Sequence, residues 1–411
     1  MYFRHLLDLE EDDLCWLTAE LERPTDADAS EARVRSAWAC DPEELLVTMS
    51  VRSAWHLLLG VSGWEAGDEV VMSGVTIPAM GWLPEAHGLR VVPVDLDPGT
   101  LHPDLGAVEA AIGPRTRAVL VAHLYGSRLD VGPLAQLCRQ RGVMLIEDCA
   151  QAFVGPHWAG HAEACVSFFS FGMVKTMTAL GGAVTRVRDP ALRSALQAAQ
   201  RAWPVQTREV VDGRIAAAGT FLSFADPGVY GEFVAGCASA GRDLDETVNG
   251  SVRGFPGTDL TRQISARLSP PLMSLLARRL ERFDGGRTRA RAARGEHLLA
   301  RLPAGLVHPG GAAPLRTHWL FPVVCDDPIG LRTCLRSAGF DAAPGTTSIA
   351  AVVPTGATAV SAPQRARRWL SRATYLPVYP ELPDAALARL LKVLEFFAGA
   401  DLDHAATRVG L

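Results

Sequence analysis

The sequence predicts an α/β protein: a large, mostly parallel sheet with helices on both faces, followed by a smaller α+β C-terminal unit. Three observations carry this. From about residue 45 to 190, short branched runs alternate with helical stretches. Those runs read apolar nearly throughout, as strands covered on both faces do. The chain has 411 residues, too many for one simple core, so two units are expected. The boundary falls between residues 1–265, with an apolar insertion near 205–262, and residues 266–411.

The strands come first. Glu69-Val70-Val71-Met72-Ser73, Arg90 to Val94, Ala118 to Ala122 and Val143 to Ile146 are bounded by Gly, Pro or Asp. Helices are expected between them, over roughly 78–87, 104–111 and 131–141, with Asp104 and Asp130 as N-caps and Pro133 in a first turn. In such sheets ligands bind beyond the carboxyl ends of the strands. His123 and Asp148 both fall at such ends, and Ser50 to Ser53 lies at a helix start.

Further on, Pro190 to Arg201 reads as a helix. The apolar segment 215–240, with Phe221, Phe224, Tyr230 and Phe233, fits a packed structural role, a helical flap, a dimer contact or a pocket wall. Pro270 opens a long helix with Leu272, Leu275, Leu276, Leu280 and Phe283 at helical spacing. Gly285-Gly286 should interrupt it, because paired glycines cost helix stability. In the smaller unit, His318 to Val324 reads as a strand, Asp327-Pro328 starts a helix, Tyr375 to Pro380 is extended, and Pro383 to Phe397 closes the chain.

Bulk properties narrow the function. Forty basic against 45 acidic residues give a net charge of -5, and no basic run carries interleaved aromatics, so nucleic acid is not an expected partner. The eight cysteines form no CxxC pair, which points to a reducing, cytoplasmic setting and to no metal site. No charge-free stretch of 18 apolar residues is present, so no transmembrane helix is expected.

The chemistry centres on Lys175. It follows Ser167-Phe168-Phe169-Ser170-Phe171-Gly172-Met173-Val174 and precedes Gly181-Gly182. An apolar aromatic run on one side and a glycine pair on the other suit an amine held in a pocket. Upstream, Val143-Met144-Leu145-Ile146-Glu147-Asp148 is a buried-looking strand ending in a carboxylate. An amine and an acid so placed are what pyridoxal 5'-phosphate (PLP) requires: a partner for its aldehyde and a counter-ion for its pyridine nitrogen. Gln151 could reach the ring hydroxyl, and Ser170 offers a hydroxyl to a phosphate. The helix that Ser50-Val51-Arg52-Ser53 opens presents free N–H groups to an anion.

In these motifs the chain resembles the DegT/DnrJ/EryC1/StrS family of PLP-dependent aminotransferases, of fold type I. The carriers are Gly67-Asp68-Glu69-Val70-Val71, Pro93-Val94-Asp95-Leu96-Asp97, His123-Leu124-Tyr125-Gly126, Glu147 to Ala152, Phe169 to Lys175 with Gly181-Gly182, and Leu376-Pro377-Val378-Tyr379-Pro380. The resemblance implies that Lys175 is the Schiff-base lysine and Asp148 the partner of the pyridine nitrogen. It makes Gln151 a ring-hydroxyl contact, and Ser170, Arg52 and Ser53 phosphate contacts. It also implies a homodimer with sites at the subunit interface. There are departures. Val51-Arg52 replaces the family's Gly-Thr, so Arg52 either adds charge to the phosphate site or points outward. Ile77 replaces an aromatic that stacks on the cofactor, which weakens stacking unless Trp82 or another ring compensates. Pro344 to Ser348 replaces a His-Tyr-Pro segment; there Thr346, Thr347 and Ser348 fit either a substrate anion or a Gly-rich turn. His123 fits a proton relay or a structural histidine.

The expected function is therefore amino transfer from an amino-acid donor to a keto acceptor, a sugar or another secondary-metabolite intermediate. Two other readings use the same residues differently: PLP-dependent dehydration, epimerisation or lyase chemistry, and a non-catalytic sensor or scaffold.

Overall fold

The structure is a computed structural model. It describes residues 1–252, 255, 259–345, 349–355 and 362–409, with the side chains of Val252 and of residues 400–409 excepted.

Seven strands form the central sheet: β1 (Leu45–Thr48), β2 (Glu69–Ser73), β3 (Arg90–Val94), β4 (Thr116–Ala122), β5 (Met144–Asp148), β6 (Val166–Ser170) and β7 (Ala183–Val187), in the order β1-β7-β6-β5-β4-β2-β3. Pairs from β3 across to β6 are parallel, while β7 runs antiparallel to both β6 and β1. The period-2 geometry of strands divides their side chains between two apolar layers. Val70, Met72, Leu120, Ile146 and Phe168 pack with Ala54, Trp55 and Leu58 of helix Val51–Val61. Val71, Val119, Val121 and Leu145 face Val108 and Leu134 of helices Leu105–Ala111 and Gly132–Arg141. Both faces are thus covered, which is why the middles of the strands read mostly apolar, with polar residues mainly toward their ends.

The helices expected over 78–87, 104–111 and 131–141 occupy Pro78–Ala86, Leu105–Ala111 and Gly132–Arg141. Asp104 caps its helix by accepting from the Ala107 N–H at 2.7 Å. Asp130 accepts from the Gly132 N–H at 3.0 Å, but the cap position itself belongs to Val131. The apolar segment 215–240 resolves into helices Arg208–Ser223 and Pro227–Ser239, separated where Asp226 caps the second. Phe221, Phe224 and Tyr230 are buried around Phe3, with ring centroids 4.7 to 5.5 Å from it. The packed reading of that segment is the observed one, and the N-terminal residues supply its partner.

Gly285, in the left-handed region at φ 70°, separates helices Pro270–Glu281 and Gly286–Leu299. One strand boundary needs correction. Pairing with Ala373–Leu376 begins at Phe321, not at His318. His318 sits at φ 46° with its ring packed on Gly295, where a Cβ would collide with it. A left-handed residue cannot extend the ladder, so residues 318–320 turn toward the large sheet instead. Among the described residues no helix is long and apolar enough to cross a membrane.

Candidate active site at the carboxyl ends of the strands

Strand register builds the site. Thr48 and Ser170 both pair with Ala183, so the ends of β1, β7 and β6 lie side by side. Asp148, the last residue of β5, pairs with Phe168. Beyond Thr48 the chain enters helix Val51–Val61, whose N-cap Ser50 accepts from the Ser53 N–H at 3.1 Å. Beyond Ser170 it enters the loop that carries Lys175. That loop folds back on the sheet: the Gly182 N–H donates to the Met49 carbonyl, and the Phe171 N–H to the Gly182 carbonyl.

The loop is held from distant parts of the chain. Met177, at φ 53°, donates its N–H to Asp8 at 2.9 Å. The Val174 carbonyl lies 3.1 Å from His5 Nε2 and accepts from Trp319 Nε1 at 3.1 Å. Arg291 donates to Thr176 Oγ1 and to the Thr317 carbonyl. The backbone next to Lys175 therefore cannot drift without breaking contacts to the N-terminal residues and to Arg291 and Trp319.

Lys175 is half-buried, and its Nζ lies 4.4 Å from the centroid of the Trp319 ring. Burial pulls its pKa down to about 8; Asp148 opposes this and the nearby Arg52 charge adds to it. Asp148 is buried, and burial raises its carboxyl above the ordinary range, against the pull of the Ala150 N–H, Lys175 and His123. Its only side-chain hydrogen bond among the described residues comes from the Ala150 N–H, at 3.0 Å. Lys175 and Asp148 act on each other electrostatically, yet they form no ion pair within 4.0 Å.

The other expected residues are partly assembled around this pair. Ser53 is buried, with its hydroxyl 2.9 Å from that of Ser50. Ser170 is half-buried at the strand end. Arg52 does not point outward: its guanidinium stacks on Phe255 at 4.2 Å, close enough to Lys175 and Arg214 for the charges to interact. Gln151 Oε1 accepts from the Tyr125 N–H at 2.9 Å, so what it can offer a ring hydroxyl is its amide N–H₂. Ile77 caps helix Pro78–Ala86 and packs in the apolar layer beside Trp64, while Trp82 is exposed. The ring brought to Lys175 is Trp319, not Trp82. Thr346, Thr347 and Ser348 lie outside the described residues.

His123 has both nitrogens engaged. Nδ1 accepts from the Leu129 N–H at 3.0 Å, so Nε2 carries the hydrogen and donates to Glu147 Oε1 at 3.1 Å. Burial pushes Glu147 up, but the hydrogen bonds from His123, the His161 N–H and the Ser167 hydroxyl hold it below its usual range. The donor atoms of His123, Glu147 and Cys149 lie within 4.8 Å of one another. The first two are already saturated by hydrogen bonds, so the group acts as a frame beneath Asp148 rather than as a ligand set.

These residues fit PLP by an observation independent of any likeness. A half-buried amine, a buried carboxylate with one backbone donor and two arginines without acid partners among the described residues suit a group that carries an aldehyde, a protonated ring nitrogen and an anion. Two contributors escaped the sequence reading. Trp319 was taken as a strand residue, and Arg214 lay in a segment legible only as apolar.

Residues 40–204 match the model of the DegT/DnrJ/EryC1/StrS aminotransferase family. An L-glutamine:2-deoxy-scyllo-inosose aminotransferase of Streptomyces kanamyceticus is 41% identical over 144 residues, which is 33% of this chain and 32% of that protein. A dTDP-4-dehydro-2,3,6-trideoxy-D-glucose 4-aminotransferase of Saccharopolyspora spinosa is 36% identical over 157 residues, 37% of this chain and 40% of that protein. These alignments span about a third to two fifths of the relatives' own length. Among solved structures, an aminotransferase from Streptoalloteichus hindustanus superposes with a TM-score of 0.68 at 20% identity, covering 95% of this chain and 97% of that one. A Streptococcus pneumoniae protein described as a sugar aminotransferase gives 0.70 at 15% identity, covering 98% of each. At such identities the likeness establishes the fold, which is fold type I.

Proposed function

We propose that the chain, whose residues 40–204 match the model of the DegT/DnrJ/EryC1/StrS aminotransferase family, is a PLP-dependent aminotransferase. It moves an amino group from an amino-acid donor to a keto acceptor, a sugar or another secondary-metabolite intermediate. One observation carries the reading: an amine with a pKa of about 8 and a buried carboxylate act on each other without touching.

Bound PLP supplies the electron sink that stabilises negative charge at the carbon bearing nitrogen. The chain supplies the rest. Lys175 would hold the aldehyde carbon through Nζ, and its amine, when free, would hold and move the proton at the substrate carbon. Its lowered pKa leaves a useful fraction neutral near pH 7 to 8. Asp148 keeps the proton on the ring nitrogen, and the His123–Glu147 frame fixes the strand that presents it. Gln151 reaches the ring hydroxyl. Ser53, Ser170 and Arg52 hold the phosphate. Trp319 covers the Lys175 amine with an apolar face, which excludes water from it. In this reading residues 1–265 bind the cofactor and residues 266–411 form the smaller unit. The enzyme is cytoplasmic, in keeping with eight free thiols, and works as a homodimer.

The test is PLP capture. Wild type should take up PLP as a chromophore attached to Lys175, with a rate rising about tenfold per pH unit up to about pH 8 and level above it. With an amino donor, mass spectrometry should recover the cofactor in its amine form, which dehydration or lyase chemistry does not require. Lys175→Ala should abolish both signals. Amine formation at the wild-type rate in that variant would refute the assignment.

A further inference from the structure

We infer that Arg214 completes a two-arginine clamp with Arg52 for a phosphate monoester dianion. The reactive corner is thereby closed by a helix outside the family-matched span. The inference rests on the reading above, in which that phosphate belongs to PLP.

The position comes first. Arg214 lies on helix Arg208–Ser223 and reaches back to the glycine pair after the Lys175 loop, donating Nη1–H to the Leu180 carbonyl at 2.9 Å. A Cβ at Gly181 would collide with this guanidinium. The glycine is therefore what lets Arg214 approach the ends of β1, β6 and β7, where Ser50, Ser53 and Ser170 gather. Gly182 beside it adopts φ 90°, a second constraint on the same turn.

The unmet demand comes second. Arg52 makes no hydrogen bond among the described residues and Arg214 makes the single one to Leu180, although each guanidinium has five N–H donors. Neither has a carboxylate within 4.0 Å among the described residues. Arg4, by contrast, meets Asp341 and Asp245, and Arg279 meets Asp8 and Asp13; Arg128, with Nε unpaired, lies over the Trp158 ring rather than beside a second cation. Arg291, also without a direct acid partner, spends its N–H groups on Thr317 and Thr176 and still senses Asp8 and Glu381. Arg52 and Arg214 instead repel each other. Two like charges held together with open donors mark the place of an anion.

The arithmetic comes third. In the reading above Lys175 and Asp148 are engaged by the aldehyde and the ring nitrogen, which leaves Arg52 and Arg214, two positive charges, to face the phosphate. A phosphate dianion neutralises both. A singly charged carboxylate would leave one guanidinium uncompensated.

The experiment compares PLP with pyridoxal, which lacks the phosphate, and adds inorganic phosphate alone. Dissociation constants for both aldehydes are measured on the full chain for wild type, Arg214→Gln, Arg214→Lys and Gly181→Ala. Circular dichroism verifies folding of each. Arg214→Gln should weaken PLP about 10- to 100-fold, the worth of a charge-assisted hydrogen bond, and leave pyridoxal within about twofold. Arg214→Lys should recover part of the preference. Gly181→Ala should repeat the loss by displacing an intact arginine, so the idea remains testable if Arg214→Gln folds poorly. Inorganic phosphate should raise the melting temperature of wild type and not of Arg214→Gln. An unchanged PLP-to-pyridoxal ratio in Arg214→Gln and Gly181→Ala would overturn the clamp. A wild type that binds neither aldehyde but is stabilised by phosphate through Arg214 would overturn the PLP reading and uphold the clamp.

Discussion

Arg4 and Asp341 lie deep in the protein, the charges of Lys175, Arg52 and Arg214 are half-buried, and the two regions are compensated from different sources. Around Asp341 the chain provides the opposite charges itself. Arg4 forms a fork on its carboxylate at 2.7 and 2.8 Å, the Tyr230 hydroxyl donates at 2.5 Å, and Asp245 binds both Arg4 and Arg336. This network ties the N-terminal residues to helix Pro227–Ser239 and to the smaller unit. Around Lys175 the chain provides cations in excess and one separated carboxylate. A buried charge that is paired holds a fold in one arrangement; a buried charge left open costs stability and creates affinity. The difference separates what fastens this molecule from what it uses.

The largest expected effect breaks the closed network. Asp341→Ala leaves Arg4 with Asp245 alone and strips the buried Tyr230 hydroxyl of its acceptor. Removing one member of a buried pair costs about 3–5 kcal/mol. Urea unfolding followed by circular dichroism should register that loss. A loss below about 1 kcal/mol would mean that the closed network fastens nothing.

How much of this contrast was readable beforehand follows from sequence distance. Lys175, Asp148, Ser170 and the glycine pair were legible because each sits within a short motif whose pattern fixes strand, turn and loop. The parallel sheet was legible for the same reason: apolar runs between capped helices leave few other arrangements. Trp319 and Arg214 were not. Each works through a contact to a residue far along the chain, Val174 and Leu180 respectively, and nothing local announces it. The reading of 318–324 as one strand failed at His318, where a left-handed backbone imposed by packing on Gly295 overrides β propensity. Helices Glu11–Glu20 and Ala27–Ser36 went unassigned because their partners, among them Pro270–Glu281, are distant in sequence.

A second prediction uses two shielded histidines, His5 at the Lys175 loop and His308 stacked on Phe321. Burial, with Arg291, Arg287 and Lys175 nearby, lowers His5 to about 3, and burial lowers His308 to about 3. Each folded pKa lies below the unfolded value of 6.5, so the folded state binds fewer protons. Their contribution is complete above pH 6.5 and is lost as pH falls from 6.5 toward 3. By pH 5 each should have given up about 2 kcal/mol. Melting curves of wild type and His5→Gln between pH 7.5 and 5 test this. The variant should lose stability less steeply, and parallel curves would remove His5 from the account.

The smallest effect runs in the opposite direction and bears on the open corner itself. Lys175 titrates at about 8 in the folded protein against 10.5 unfolded. Below pH 8 both states are protonated and folding carries the cost of sheltering the ammonium. Above it the folded amine sheds its proton and the cost declines until about pH 10.5. Lys175→Met fills similar space without charge. The cofactor-free variant should be more stable than wild type by about 1–2 kcal/mol at pH 7, less than the full shift implies because Lys175 is only half-buried and gives up its contact with Trp319. The gain should fade as pH rises from 8 to 10. Thermal melts of the two apo proteins across that range decide it. A variant less stable than wild type at pH 7 would show that the amine fastens the fold as Arg4 does, and the division between the two regions would fall.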